Sequence, residues 1–132
     1  MMASNFSFPS RERLKSRKKI QHLFSKGQSC AAYPLVLVWL ETEECEARVQ
    51  MAVSVSKKKF KKAVDRNRIK RQLREVWRLN KTEVIAQIAQ QNQYYACMLI
   101  YIANEHLPYE RLEKSMNKIL KKWAGAVFIS DE

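Results

Sequence analysis

The residues with the clearest chemical signal lie between Lys57 and Lys81, in the stretch KKKFKKAVDRNRIKRQLREVWRLNK. This window holds 12 of the chain's 25 lysines and arginines but only two of its 13 acidic residues. On a helix, at about 100° per residue, six side chains would form one ridge and its border: Arg66, Asn67, Lys70, Arg71, Arg74 and Arg78. Guanidinium groups pair bidentately with phosphate oxygens, and an amide adds both a donor and an acceptor. The spacing predicts a surface that binds phosphates, although a basic face that is simply solvated remains the competing interpretation.

Catalytic and metal-binding residue patterns are weak in this chain. With two glycines, Gly27 and Gly125, the sequence offers neither a P-loop nor a dinucleotide fingerprint. His22 and His106 stand in separate contexts, and Asp65 is best explained as a first-turn residue that suits the helix dipole. We therefore predict no catalytic residue, no metal ligand and no small-molecule cofactor in the protein itself.

A second basic segment, Ser10 to Lys26, predicts a short helix with Ser10 as a possible N-cap. It carries Ile20 and Phe24 on one face. If this helix packs beside the small polar face of a strand with Ala52, Ser54 and Ser56, the two would form a shallow groove with an apolar wall and basic rims. Such a groove fits single-stranded nucleic acid. A plain core position for Phe24 is about equally consistent with the sequence.

The elements that would position these residues follow from hydrophobic periodicity. Strands are predicted at Pro34–Glu41 and Arg48–Ser56, with the acidic connector TEECEA as a hairpin turn, and there is room for a further strand near residues 28–33. A helix is predicted from about Ala63, extended or restarted after Asn80. Its apolar stripe is Ile69, Leu73, Val76 and Trp77.

The C-terminal third predicts one strand and one helix. Tyr94 to Ala103 is apolar and aromatic, as in a buried strand, and Pro108 suits the first turn of a helix that ends near Gly125. The order helix, strand, strand, helix, strand, helix indicates an α/β (α+β) fold.

Bulk composition limits the remaining possibilities. A chain of 132 residues is the size of a single domain, and we expect its tails at 1–7 and 126–132 to be flexible. The net charge of +12 favours polyanionic partners. Three widely spaced cysteines and the lack of a long apolar run predict a reduced, cytoplasmic protein without a membrane partner.

Two motifs resemble a known family. SVSKK at Ser54–Lys58 followed by AVDRNRIKRQLRE at Ala63–Glu75 is similar to the signature of the protein subunit of bacterial ribonuclease P. The resemblance covers a core at about residues 8–124 and implies a two-layer sandwich with a left-handed crossover around the Arg-Asn-Arg helix. It also implies a ribonucleoprotein endonuclease in which a catalytic RNA, dependent on Mg²⁺, carries the active site and removes the 5′ leader of precursor tRNA.

The resemblance assigns residues to three surfaces. The motif helix that contacts the catalytic RNA would comprise Arg66, Asn67, Arg68, Lys70, Arg71 and Arg74. The cleft for the single-stranded leader would comprise Ile20, Phe24, Val38, Ser54, Ser56 and Lys57. A further basic rim would comprise Arg13, Lys58, Lys61 and Lys62. Family members often carry aromatic residues where this chain has Ile20 and Val38.

Two other functions remain as alternatives. A ribosomal or other structured-RNA-binding protein would share the charge pattern without any enzymatic role. A protein-only metallonuclease would cleave the leader without an RNA subunit. The Arg-Asn-Arg string favours the ribonuclease P subunit over both.

Overall fold

The computed structural model describes residues 8–128. A 3₁₀ turn at Ser10–Glu12 leads into helix α1 at Arg17–Lys26 and strands β1 at Gln28–Ala32, β2 at Leu35–Thr42 and β3 at Val49–Val55. Helices α2 at Ala63–Asn80 and α3 at Thr82–Gln90 follow, then strand β4 at Tyr94–Tyr101 and helix α4 at Tyr109–Val127. The predicted mixed α/β class is confirmed, and the space left for an additional strand is filled by β1.

The four strands form one mixed sheet in the order β1-β2-β4-β3. Strand β4 pairs antiparallel with β2 and parallel with β3. The predicted hairpin between β2 and β3 is therefore wrong, because β4 lies between them and the acidic connector passes across the end of the sheet. The parallel pair requires a long crossover, which α2 and α3 provide.

The two faces of the sheet are covered differently because side chains alternate along each strand. On the first face, Leu37, Met51 and Leu99 are buried with residues of α2 and α4 in the main core. On the second face, Ala96 and Met98 pack with Leu14 and Leu23 in a smaller cluster. Helix α1 thus covers only part of the second face.

Helix α2 is anchored by the predicted apolar stripe. Ile69, Leu73, Val76 and Trp77 are all buried in the main core. The first-turn position predicted for Asp65 is confirmed, where its charge suits the helix dipole. Since the stripe fixes the rotation of the helix, it also fixes which side chains point away from the core.

The N-terminal segment differs from the prediction. The helix does not begin at Ser10, because Arg13 bridges to Met51 of β3 and the Leu14 N–H donates to the Met51 carbonyl at 3.1 Å. Extended backbone at these residues delays the helix to Arg17, and the Ser16 hydroxyl caps it by accepting from Lys19 N at 3.3 Å.

Residues at both ends of the described chain pack against the main core. Phe8 does so at the N-terminal end. Helix α4 continues past Gly125 to Val127, and Phe128 packs against the same core. The rest of the two predicted tails lies outside the described residues.

Candidate nucleic-acid interface

The exposed face of α2 presents an amide between arginines. Asn67, Arg68 and Arg71 are exposed, whereas Lys70 and Arg74 are half-buried. The apolar stripe holds the opposite side of the helix in the core. The side chains available to a large ligand are therefore centred on Asn67, Arg68 and Arg71.

Arg66 has a structural role in addition to its charge. Its Nη1 donates to the Phe60 carbonyl at 2.8 Å and to the Lys61 carbonyl at 2.9 Å. These bonds tie the start of α2 to the basic loop that precedes it. Arg66 therefore positions the loop, and its remaining N–H groups are what a ligand could meet.

Arg78, at the C-terminal end of the predicted ridge, forms a local ion pair. Its guanidinium donates to both carboxylate oxygens of Glu75, at 3.2 and 2.8 Å. Because Glu75 offsets its charge, Arg78 contributes less to the positive surface than periodicity alone indicates.

Arg74 lies where the N-terminal segment meets α2. Burial, and then the neighbouring charge of Arg13, lower the pKa of Arg74. A guanidinium whose pKa is lowered by a like charge is stabilised by any anion that binds between the two. The predicted rim residue Arg13 thus lies near the motif helix, and its guanidinium stacks over the Phe8 ring at 5.1 Å.

The loop before α2 carries the remaining predicted rim residues together with Lys57, which was predicted for the leader cleft. Lys57, Lys58, Lys61 and Lys62 are all exposed. The Ser56 hydroxyl accepts from the backbone N–H groups of residues 58 and 59, at 3.1 and 3.3 Å, which fixes the turn. Four lysines are therefore displayed on a loop of defined shape.

A buried aromatic residue anchors this loop to the end of the sheet. Phe60 is buried with its ring 6.0 Å from Tyr101 and 5.8 Å from His106. Lys59 Nζ also donates to the Ile102 carbonyl at 2.6 Å. His106 thus packs on an aromatic ring beside the basic loop.

Helix α1 packs on the sheet differently from the arrangement predicted for a groove floored by β3. Helix α1 lies over β2 and β4, and Ile20, Val38 and Ala52 pack around the smaller cluster beneath it. Phe24 is 58% exposed, so it is not a core residue. It lies one helical turn after Ile20 on the same side of α1.

The floor of the part of the second face that α1 leaves uncovered is a row of side chains across three strands. Ser54 of β3 is in register with Ile100 of β4, which is in register with Val36 of β2. All three are half-buried. The sequence analysis missed Ile100 and Val36, because assigning them to the floor requires knowing that β4 is central. Ser56 lies beyond the end of β3, in the lysine loop.

Neither a metal-binding cluster nor a membrane-spanning helix occurs among the described residues. Within residues 8–128, no group of three or more His, Cys, Asp or Glu side chains is placed to hold a metal ion. Over the same residues, no helix is long and apolar enough to cross a membrane.

The N-terminal segment is fixed by a buried ion pair that no local sequence pattern indicates. Lys81 is 3% exposed, and its ammonium pairs with the Glu12 carboxylate and lies 5.6 Å from the Phe8 ring centroid. Because Lys81 follows the last residue of α2, this pair holds residues 8–13 along the helix. Arg13 therefore has a defined position beside Arg74.

Fold and surface together define a small mixed α/β protein with an arginine-rich helix and a sheet face that α1 covers only in part. The chain belongs to the ribonuclease P protein family, which is involved in tRNA processing: the sequence model of the family Ribonuclease P matches residues 8–124.

Individual relatives agree with this assignment. The chain is 38% identical over 126 residues to the ribonuclease P protein component of Porphyromonas gingivalis, covering 94% of this chain and 91% of the relative. It is 36% identical over 109 residues to that of Streptococcus agalactiae, covering 83% and 91%.

Solved structures show the same fold. The Staphylococcus aureus RNase P protein superimposes with a TM-score of 0.69 at 25% identity, covering 85% of this chain and 94% of that one. The RNase P protein from Thermotoga maritima superimposes with a TM-score of 0.67 at 24% identity, covering 85% and 97%.

Proposed function

We propose that this chain is the RNA-binding protein subunit of ribonuclease P. It binds the catalytic RNA of the enzyme through α2 and the 5′ leader of precursor tRNA through the groove beside α1. The observation that carries the proposal is the exposed face of Asn67, Arg68 and Arg71 on a helix rotated into place by a buried stripe, in a member of this family. The RNA supplies the active site and holds the Mg²⁺.

The α2 face suits the backbone of a folded RNA. Arg68 and Arg71 can each pair bidentately with phosphate oxygens, and Asn67 between them can accept from a 2′-hydroxyl or donate to a phosphate. Arg74 and Arg13 extend the positive surface to the N-terminal segment. These contacts orient the protein on its RNA without requiring it to read a sequence.

The groove suits a single strand of RNA. Phe24 offers an exposed ring for stacking, Val38 and Ile20 provide apolar surface, and Ser54 adds a hydroxyl. Lys57 stands at the rim of the loop that follows β3. Stacking is sequence-tolerant, because every base has a π-face, and this tolerance is what a subunit that accepts many leaders needs.

The protein contributes affinity and orientation, and the RNA contributes the reaction. By holding the leader in the groove while α2 is docked on the catalytic RNA, the chain positions the scissile phosphodiester next to the RNA's metal ions. Such positioning removes part of the entropy cost of bringing substrate and catalyst together. Hydrolysis then leaves a mature 5′ end on the tRNA.

The test is reconstitution. The purified chain is mixed with a bacterial ribonuclease P RNA and precursor tRNA at a magnesium concentration where the RNA alone is slow. We expect a clear gain in 5′ maturation, reduced by Arg68→Ala and unchanged by Lys121→Ala, which removes an exposed charge on α4.

Each alternative gives a distinct result. A structured-RNA-binding protein with no enzymatic role would bind the RNA without any gain in maturation over RNA alone, and this result would overturn the proposal. Cleavage by the chain without RNA would indicate a protein-only nuclease instead.

A further inference from the structure

A second basic surface lies on α4. Four exposed cations recur there at three- and four-residue spacing, within about 80° of the helix circumference and along about 16 Å of its length. These residues, called here the α4 ridge, are Arg111, Lys114, Lys118 and Lys122. The acidic residues of the helix, Glu110 and Glu113, fall outside this arc, and within the described residues neither forms an ion pair with the ridge.

The ridge is attached to the edge of the sheet. Lys122 Nζ donates to the Ala31 carbonyl of β1 at 2.6 Å, and the buried Ser115 hydroxyl donates to the Tyr33 carbonyl at 2.7 Å. The Arg111 guanidinium lies 5.5 Å from the Tyr33 ring centroid. Residues 28–34 contain no charged side chain, so the ridge lies beside an uncharged edge.

The row of half-buried side chains on the second face of the sheet leads to this edge. Ser54, Ile100 and Val36 continue in register to Ala31, which is exposed on β1. Two residues further on, the Tyr33 ring is 53% exposed. A single strand of RNA that crosses the sheet along this row therefore leaves the sheet over β1. There it meets the Tyr33 ring and then the four cations of the α4 ridge.

We propose that the leader continues from the groove over β1 onto Tyr33 and the α4 ridge, which together bind its far end; this inference rests on the proposed function. The α2 face adjoins β3, at the opposite edge of the sheet. The cleavage site would therefore lie toward β3, and the leader nucleotides farthest from it toward β1. Tyr33 stacks a base, and the ridge binds phosphates. Lys122 can do so while bonded to Ala31, because an ammonium has three donors.

The test measures binding of the reconstituted holoenzyme to two precursor tRNAs, with leaders of about 4 and about 16 nucleotides, which bracket the site sizes of single-strand grooves. The double variant Lys118→Ala/Lys122→Ala should weaken binding of the long-leader substrate about three- to tenfold, as for two exposed ionic contacts. Its salt slope should fall by about 1.4, since each single-strand phosphate contact contributes about 0.7. Binding of the short-leader substrate should not change.

Control variants test whether the effect depends on the position of the charge on α4, and whether it depends on the ring or the hydroxyl of Tyr33. Lys121→Ala removes an exposed charge that lies on α4 just outside the arc of the ridge, and it should leave both affinities unchanged. Tyr33→Leu should weaken binding of the long leader alone, and Tyr33→Phe should restore it because the ring is retained.

The outcomes distinguish this inference from the proposed function. If the wild-type chain gives no gain over RNA alone, both fail. If that gain is intact but the double variant binds the long leader as tightly as wild type, only the ridge inference is overturned. Equal losses for both leaders would also overturn it, since the ridge would then contact something other than the far end of the leader.

Discussion

The contact between α1 and the sheet depends on the lack of a side chain at Gly27. Its backbone, at φ −72° and ψ 158°, is accessible to any residue, so conformational strain is not the issue. A Cβ added there would clash with the Leu23 carbonyl oxygen and approach Val38 Cγ1 at 2.9 Å and the Trp39 carbonyl at 3.1 Å. Two of these three neighbours are backbone, which cannot rotate away.

Gly27→Ala should therefore push α1 away from β2. Overpacking of this kind costs about 1–3 kcal/mol, and we expect the upper half of that range because the backbone itself must move. For a chain of this size, about 2 kcal/mol corresponds to a drop in Tm of about 6–10 °C. Affinity for the leader should fall as well, since Phe24 moves with α1.

The second glycine provides a matched control. Gly125 lies in α4, is exposed, and an added Cβ would meet nothing within 4 Å. Gly125→Ala should raise stability by up to about 1 kcal/mol through helix propensity alone. Thermal or urea unfolding of both variants tests the argument. A Gly27→Ala protein that unfolds at the same temperature as wild type would refute the argument that this position has no room for a side chain.

Three further predictions concern single side chains. Arg68→Ala should lower the salt slope of binding to the ribonuclease P RNA by about one unit at almost unchanged stability, and an unchanged slope would mean that Arg68 faces only solvent. Phe24→Ala should weaken binding of precursor tRNA and leave binding of mature tRNA unchanged, whereas equal losses would contradict a leader groove. Burial raises the pKa of Tyr95 to about 12, so the unfolded chain loses this proton first and stability should fall between about pH 10 and 12. Urea unfolding of Tyr95→Phe over that range should show a shallower decline, and parallel curves would exclude the effect.

Local periodicity predicted the parts of the fold that depend on near neighbours in sequence. The stripe Ile69, Leu73, Val76 and Trp77 identified α2 because a helix repeats its buried face every three or four residues. The predicted start of α1 was wrong because Ser10 and Ser16 are equally good N-cap residues. The choice between them depends on Arg13 pairing with Met51 of β3, a contact that no local pattern reports.

For the basic surface, too, local spacing predicted only part of what the structure shows. Spacing placed Arg66 and Arg78 on one ridge with Arg74, but the structure binds Arg66 to two loop carbonyls and pairs Arg78 with Glu75. Spacing describes where a side chain starts on the helix, whereas its partners depend on the fold. A count of charges therefore overestimates how many are available to RNA.

The wrong prediction of a β2–β3 hairpin has a consequence for the residues of the proposed groove. With β4 inserted between β2 and β3, Val36, Ile100 and Ser54 form one row, which a β2–β3 hairpin could not produce. Side chains alternate along a strand, so a slip of one residue in β4 would move Ile100 into the core and Leu99 into the groove. Leu99 is fully buried with α2 and α4, which opposes that slip. The same packing that buries the first face thus determines which residues of the second face remain for the leader.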